Sequence, residues 1–190
     1  MIDPVWTDKL ASLVERDHFI REALVKRGDL NDAYHPEIEK VHLENSIKLE
    51  KIIEKNGFPV LSNAGEEGVR LAWLIIHHSL SRSDFMRECL TQIRLAVAAS
   101  DWPLELHAYL EDRVAFYEGR KQLFGTNLDW VDGELKPTEI EDPDQLEHRR
   151  KSVGLPEMRK DFQNGERPPV DPEKKQKEFQ IWLKKTGWRP

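Results

Sequence analysis

Imidazole is the side chain best suited to exchange protons near neutral pH, and two imidazoles stand together at the end of an apolar run, WLIIHHSL, residues 73–80. On a helix, residues three and four apart share a face. His78 then follows Leu71 and Leu74, and His77 follows Trp73, so neither points in a plainly polar direction. Asn45 lies on one stripe with Ile38, Val41, Leu49 and Ile52 and is expected to face inward. His42, three residues earlier, falls at the margin of that stripe and is expected to be half exposed. Arg113 shares a stripe with Leu106, Tyr109, Leu110, Val114 and Tyr117. Asp112 stands nearest to Ala108, Tyr109 and Phe116.

Two readings follow from this placement. In the first, Asn45, His78, Asp112 and Arg113 converge on a polar pocket between helices, the usual location of sites in helical bundles. His78 would act as general acid or base, Asp112 would orient it or pair with Arg113, and an arginine would hold an anionic group. In the second, the same residues are buried polar groups satisfied by their neighbours and bind no ligand.

The stretch QLFGTN, residues 122–127, adds amide and hydroxyl groups beside a glycine that permits close backbone approach. Gln122, Thr126 and Asn127 are therefore candidates to close over a ligand, and Gln122 to position it. Arg150, in the basic cluster HRRK, is a further candidate to hold an anion. The alternative is an ordinary turn that uses Gly125 for a positive φ.

Several chemistries lack their signatures. There is no HExxH and no histidine pair at four-residue spacing, and His77 and His78 project about 100° apart on a helix. A metal site would need ligands gathered from separate helices, so no metal and no cofactor is expected. Phosphate-binding loops, dinucleotide-binding glycine patterns and a G-x-S-x-G elbow are also missing. Cys89 is the one cysteine, which excludes an internal disulfide and fits a reducing cytoplasm. Its apolar helix beside Glu88 does not favour a reactive thiolate.

The elements that must position these residues are helical. Pro4 opens a first helix with Val5, Leu10, Leu13, Val14, Ile20, Leu24 and Val25 at helical spacing up to Gly28, with a fray expected near Asp17. Pro36 starts a second helix ended by NGFP at 56–59, and Ser62 or Asn63 can cap a third that is apolar on nearly every side from Val69 to Ile76. SRSDFMRECLTQIRLAVAAS and LELHAYLEDRVAFY supply a fourth and a fifth. Asp132-Gly133 suits a small hairpin turn. Helix resumes in DPDQLEHRRKSVGLPEMRKDF with an interruption around Gly154 and Pro156, QNGERPPVDP reads as a linker, and Asp171-Pro172 can start a last helix carrying Phe179, Ile181, Trp182 and Leu183.

The expected fold class is mainly α: a single helical-bundle-like domain over residues 1–163 with a small irregular or hairpin segment near 120–137, then a linker and C-terminal amphipathic helix over 164–190. A chain of 190 residues can bury roughly 70% of the surface it exposes when unfolded. Its 38% hydrophobic and 34% charged residues, with a mean hydropathy of −0.67, describe a globular protein with a charged surface. The net charge of −6 argues against nucleic acid as a partner. No run approaches the ~20 apolar residues that span a bilayer, and the first residues do not read as a signal peptide. A soluble cytoplasmic protein is expected.

The blocks ENSIKLEKIIEKNGFP, GEEGVRLAWLIIHHS, AYLEDRVAFYEGRKQLFGTN and HRRKSVGL together give the chain a resemblance to a bacterial family known only as a domain of unknown function. The resemblance implies that Asn45, His78, Asp112, Arg113, Gln122, Gly125, Thr126 and Arg150 belong to the family's pattern. His77, Phe58, Phe124 and Asn127 depart from it, standing where the family has glutamine, tryptophan, tyrosine and glutamine. No activity comes with the resemblance. The expected function is a small-molecule enzyme, acting on a small anionic ligand, with His78, Asp112 and Arg113 catalytic and Asn45, Gln122, Thr126, Asn127 and Arg150 binding the substrate. The alternative is a non-catalytic interaction module whose C-terminal helix carries Trp182 and Trp188 to a protein partner.

Overall fold

The structure, a computed structural model, describes residues 2–29, 34–131, 134–158 and 171–190. Among these residues it is mainly helical, with one small antiparallel sheet. The chain divides into two compact units, Met1–Trp102 and Pro103–Pro190. The boundary that composition suggests, at 163/164, lies outside the described residues, as does the expected turn at Asp132-Gly133.

Among its described residues the first unit holds four helices: α1 (Val5–Arg27), α2 (Pro36–Asn56), α3 (Leu61–His78) and α4 (Ser83–Ala98). α1 packs on α2 and α3, and α3 also packs on α2 and α4. Each start has a local cause. Pro36 occupies the first turn of α2, where its missing N–H costs nothing. The Asn63 side chain folds back to accept the Val60 N–H at 2.8 Å, while Ser62 is held by Asp101 through its N–H at 2.8 Å and its hydroxyl at 2.6 Å. α3 is broken at Gly65, whose φ of 66° suits glycine.

The α1/α3 seam is close because α3 offers it small residues. A side chain at Gly68 would bring its Cβ within 2.8 Å of the Trp6 Cβ. Trp6, Leu10 and Leu24 of α1, Leu49 of α2, Val69 and Ile76 of α3, and Met86 and Ile93 of α4 form the dry centre of the unit. The fray expected near Asp17 does not occur: α1 is continuous to Arg27 and is closed by Gly28 in the left-handed region.

The second unit begins with α5 (Leu104–Glu118). A hairpin of β1 (Leu128–Val131) and β2 (Glu134–Pro137) follows, then a 3₁₀ turn (Pro143–Gln145), α6 (Leu146–Ser152) and α7 (Pro172–Lys185). In the hairpin Leu128 pairs with Pro137 and Trp130 with Leu135. Ala108, Phe124 and Leu155 form a buried apolar cluster with Leu123 and Val153 against it. At the other end of α5 the Tyr117 ring meets Phe179, Trp182 and Trp188, and Arg189 donates to the carbonyls of Phe116 and Tyr117, each at 2.9 Å. Leu183 and Trp188 are buried there. No helix among the described residues is long and apolar enough to cross a membrane.

Candidate functional site

Three helices of the first unit bring three chemistry-bearing side chains together. Asp17 comes from the middle of α1, His42 from the second turn of α2 and His78 from the last residue of α3. One carboxylate oxygen of Asp17 lies 3.0 Å from His42 Nε2 and the other 2.8 Å from His78 Nδ1. The two imidazole rings stand 4.7 Å apart, centroid to centroid. Asp17 and His42 are buried, whereas the side chain of His78 keeps 24% of its surface exposed. The cluster thus has a closed end at His42 and an open end at His78.

Tyr34, just before α2, fixes the closed end. Its hydroxyl lies 2.7 Å from His42 Nδ1 and donates to the carbonyl of His78 at 3.3 Å. One turn along the α1/α2 seam, Asn45 Nδ2 donates to the carbonyl of Leu13 at 3.0 Å. Its Oδ1 is buried without a hydrogen-bond partner among the described residues. Burial would raise the pKa of Asp17, but the hydrogen bonds and charge of His42 and His78 outweigh it and hold the carboxyl well below the usual range. Asp17 is therefore an ionised carboxylate between two imidazoles. Such a carboxylate can fix a histidine's tautomer, stabilise its protonated form, or join it in holding a cation.

The second unit has its own buried carboxylate with a different set of partners. Asp112 accepts from the backbone N–H groups of Leu123 at 2.7 Å, Phe124 at 3.1 Å and Thr126 at 2.8 Å, and from the Thr126 hydroxyl at 2.9 Å. Burial raises its pKa against the opposing pull of these bonds. Gln122 completes the loop: its Nε2 donates to the Asn127 carbonyl and to Thr138 Oγ1, both at 2.7 Å, and its Oε1 accepts the Asn127 N–H at 2.8 Å. Arg150 donates to the carbonyls of Phe124 at 2.6 Å and Pro156 at 2.8 Å. Arg149 does the same for Leu123 at 2.7 Å and for Glu141.

The residues singled out by spacing fall in both units, Asn45 and His78 in the first and the other six in the second. The carboxylate on His78 is Asp17. The oxygens of Asp112 go to the 123–126 backbone, because that turn has N–H groups with no helical or sheet partner and a buried donor must be satisfied. Gln122, Thr126, Asn127 and Arg150 are gathered at the same turn and take part in its bonds, Asn127 through its backbone. Arg113 lies with its guanidinium carbon 5.9 Å from the Tyr117 ring centre, and its buried Nε has no hydrogen-bond partner among the described residues. His77 stacks on Trp73 at 4.6 Å.

Spacing alone missed two residues. Asp17 continues the Leu10, Leu13 stripe of α1 toward Leu24 and is only 5% exposed. A carboxylate on that stripe is the signal that could have found it. His42, expected half exposed, is 7% exposed, because it lies four residues after Ile38 and seven before Leu49 on the inward face.

The sequence matches, over residues 4–166, the model of a family of unknown function, DUF6624. The chain belongs to that family. No curated protein and no solved structure matches it.

Proposed function

We propose that this protein is an enzyme acting on a small molecule, with its reaction centre in the first unit at Asp17, His42 and His78. The observation that carries the reading is the Asp17 carboxylate shared between two imidazoles from different helices, one of them at a half-open edge. With Nδ1 of His78 on Asp17, proton transfer runs through Nε2, the arrangement by which a carboxylate orients a histidine base and stabilises its protonated form. His42 and Tyr34 hold the carboxylate from the other side. Asn45, with an unsatisfied buried oxygen one turn away, offers an acceptor to a ligand or its water.

The reading includes a small anionic substrate and a cytoplasmic setting, the latter in keeping with a single buried thiol. In α7 and the residues after it Leu183 and Trp188 are buried, whereas Ile181 is exposed.

The test is depletion of a compound from a cell-extract metabolite mixture, followed by mass spectrometry. The wild-type chain is expected to convert at least one component. His78→Gln, checked for an unchanged circular dichroism spectrum, is expected to lose roughly 100-fold or more of that rate, the scale of a positioned acid or base. Conversion that survives His78→Gln, or no conversion by the wild type, overturns the reading.

A further inference from the structure

We infer that Asp17, His42 and His78 form a binding site for one divalent transition-metal ion. This inference rests on the reading of the same cluster as the reaction centre and names what occupies it. Two nitrogens and a carboxylate oxygen, one atom from each residue, all lie within 4.8 Å of one another. An ion about 2.0–2.2 Å from such ligands sets neighbouring ligand atoms roughly 3–3.5 Å apart. The Asp17 oxygens already stand 3.0 and 2.8 Å from the two nitrogens, so small side-chain adjustments would complete the set. Two imidazoles and one carboxylate, with a position left open, is a donor set that suits zinc or ferrous iron and leaves room for water or substrate.

Tyr34 is placed to support such a site. Its hydroxyl lies 2.7 Å from His42 Nδ1, the ring nitrogen that does not face Asp17, and a tyrosine oxygen can accept as well as donate. Metal-bound histidines typically donate their second N–H to an oxygen partner, which fixes the tautomer. Tyr34 supplies that partner for His42.

The arrangement also explains why no metal was expected from spacing. The ligands lie on α1, α2 and α3, separated by 25 and 36 residues along the chain, and no local motif links them. His77 is excluded by its stacking on Trp73. With an ion in place the ring nitrogens of the cluster become ligands, and the ion supplies a polarised water to the proposed chemistry.

The experiment is a titration of the chelator-stripped full-length chain with Zn²⁺ by calorimetry and with Co²⁺ by visible absorption. The expected result is one ion per chain and Co²⁺ bands of nitrogen and oxygen coordination. Asp17→Asn and His78→Gln are expected to abolish both, His77→Gln to leave both unchanged, and Tyr34→Phe to weaken Zn²⁺ binding about tenfold. Because the ligand variants could fail to fold, imidazole ¹⁵N spectra of the wild type provide a second reading: Zn²⁺ is expected to shift His42 Nε2 and His78 Nδ1. A folded wild type that binds no Zn²⁺, or binds it with those two nitrogens unmoved, overturns the inference. Metabolite conversion by stripped protein that still depends on His78 overturns the metal and leaves the acid–base reading standing. Stoichiometric binding without any conversion upholds the site and removes the enzyme reading.

Discussion

Asp17 and Asp112 are both buried aspartates on helices, and each gathers donors from distant parts of its own unit. Their donors differ in kind. Asp112 is surrounded by backbone N–H groups and a hydroxyl, none of which exchanges protons near neutrality. Asp17 is surrounded by two imidazole rings. The first arrangement fixes a turn that has no regular hydrogen-bond ladder, and its worth is measured in stability. The second holds two imidazoles and a carboxylate together, the cluster proposed above as the reaction centre. Burial and bond count alone would have ranked the two sites the other way.

The comparison is easiest to break at Asp112. Asp112→Ala leaves three buried or half-buried backbone donors and a hydroxyl without this acceptor and is expected to cost roughly 4 kcal/mol in urea unfolding. A cost below about 1 kcal/mol would mean that the turn satisfies itself elsewhere. Arg150→Ala comes next, at about 2–3 kcal/mol, because two carbonyls lose a charged donor. Arg150→Lys should recover little of this, since an ammonium cannot reproduce the guanidinium fork.

At the other site His78→Ala is expected to cost only about 1 kcal/mol, because Asp17 keeps His42 and the lost imidazole is partly exposed. A loss approaching that of Asp112→Ala would make His78 a structural brace. Asn127→Ala should be the smallest change, within about 0.5 kcal/mol in the same assay, because both of its bonds to Gln122 are made by the backbone.

Much of the helical fold was legible because the apolar stripes of α1, α2 and α5 keep helical spacing and their ends carry Pro and Gly. Asn45 and His78 were legible for the same reason, as polar groups on apolar faces. Asp17 was readable in principle, but a single charged residue within a long charged helix resembles a fray. The partners of Asp112 were not readable. They are backbone groups of a turn, and nothing in the types of Leu123 or Phe124 announces an unsatisfied N–H. Gln122 and Arg150 were picked out for the hydrogen bonds their side chains can form, and those bonds serve the turn.

The most direct test of the central claim is the rate at which each histidine of the chelator-stripped full-length chain reacts with diethylpyrocarbonate, followed peptide by peptide by mass spectrometry. A histidine oriented by a buried carboxylate at an edge open to small molecules should react at Nε2 faster than the exposed His18 and His148. His78 modified first, with His42 spared, is the result predicted here. His78 still unmodified when His18 and His148 have reacted completely would contradict the assignment of this cluster as a reaction centre.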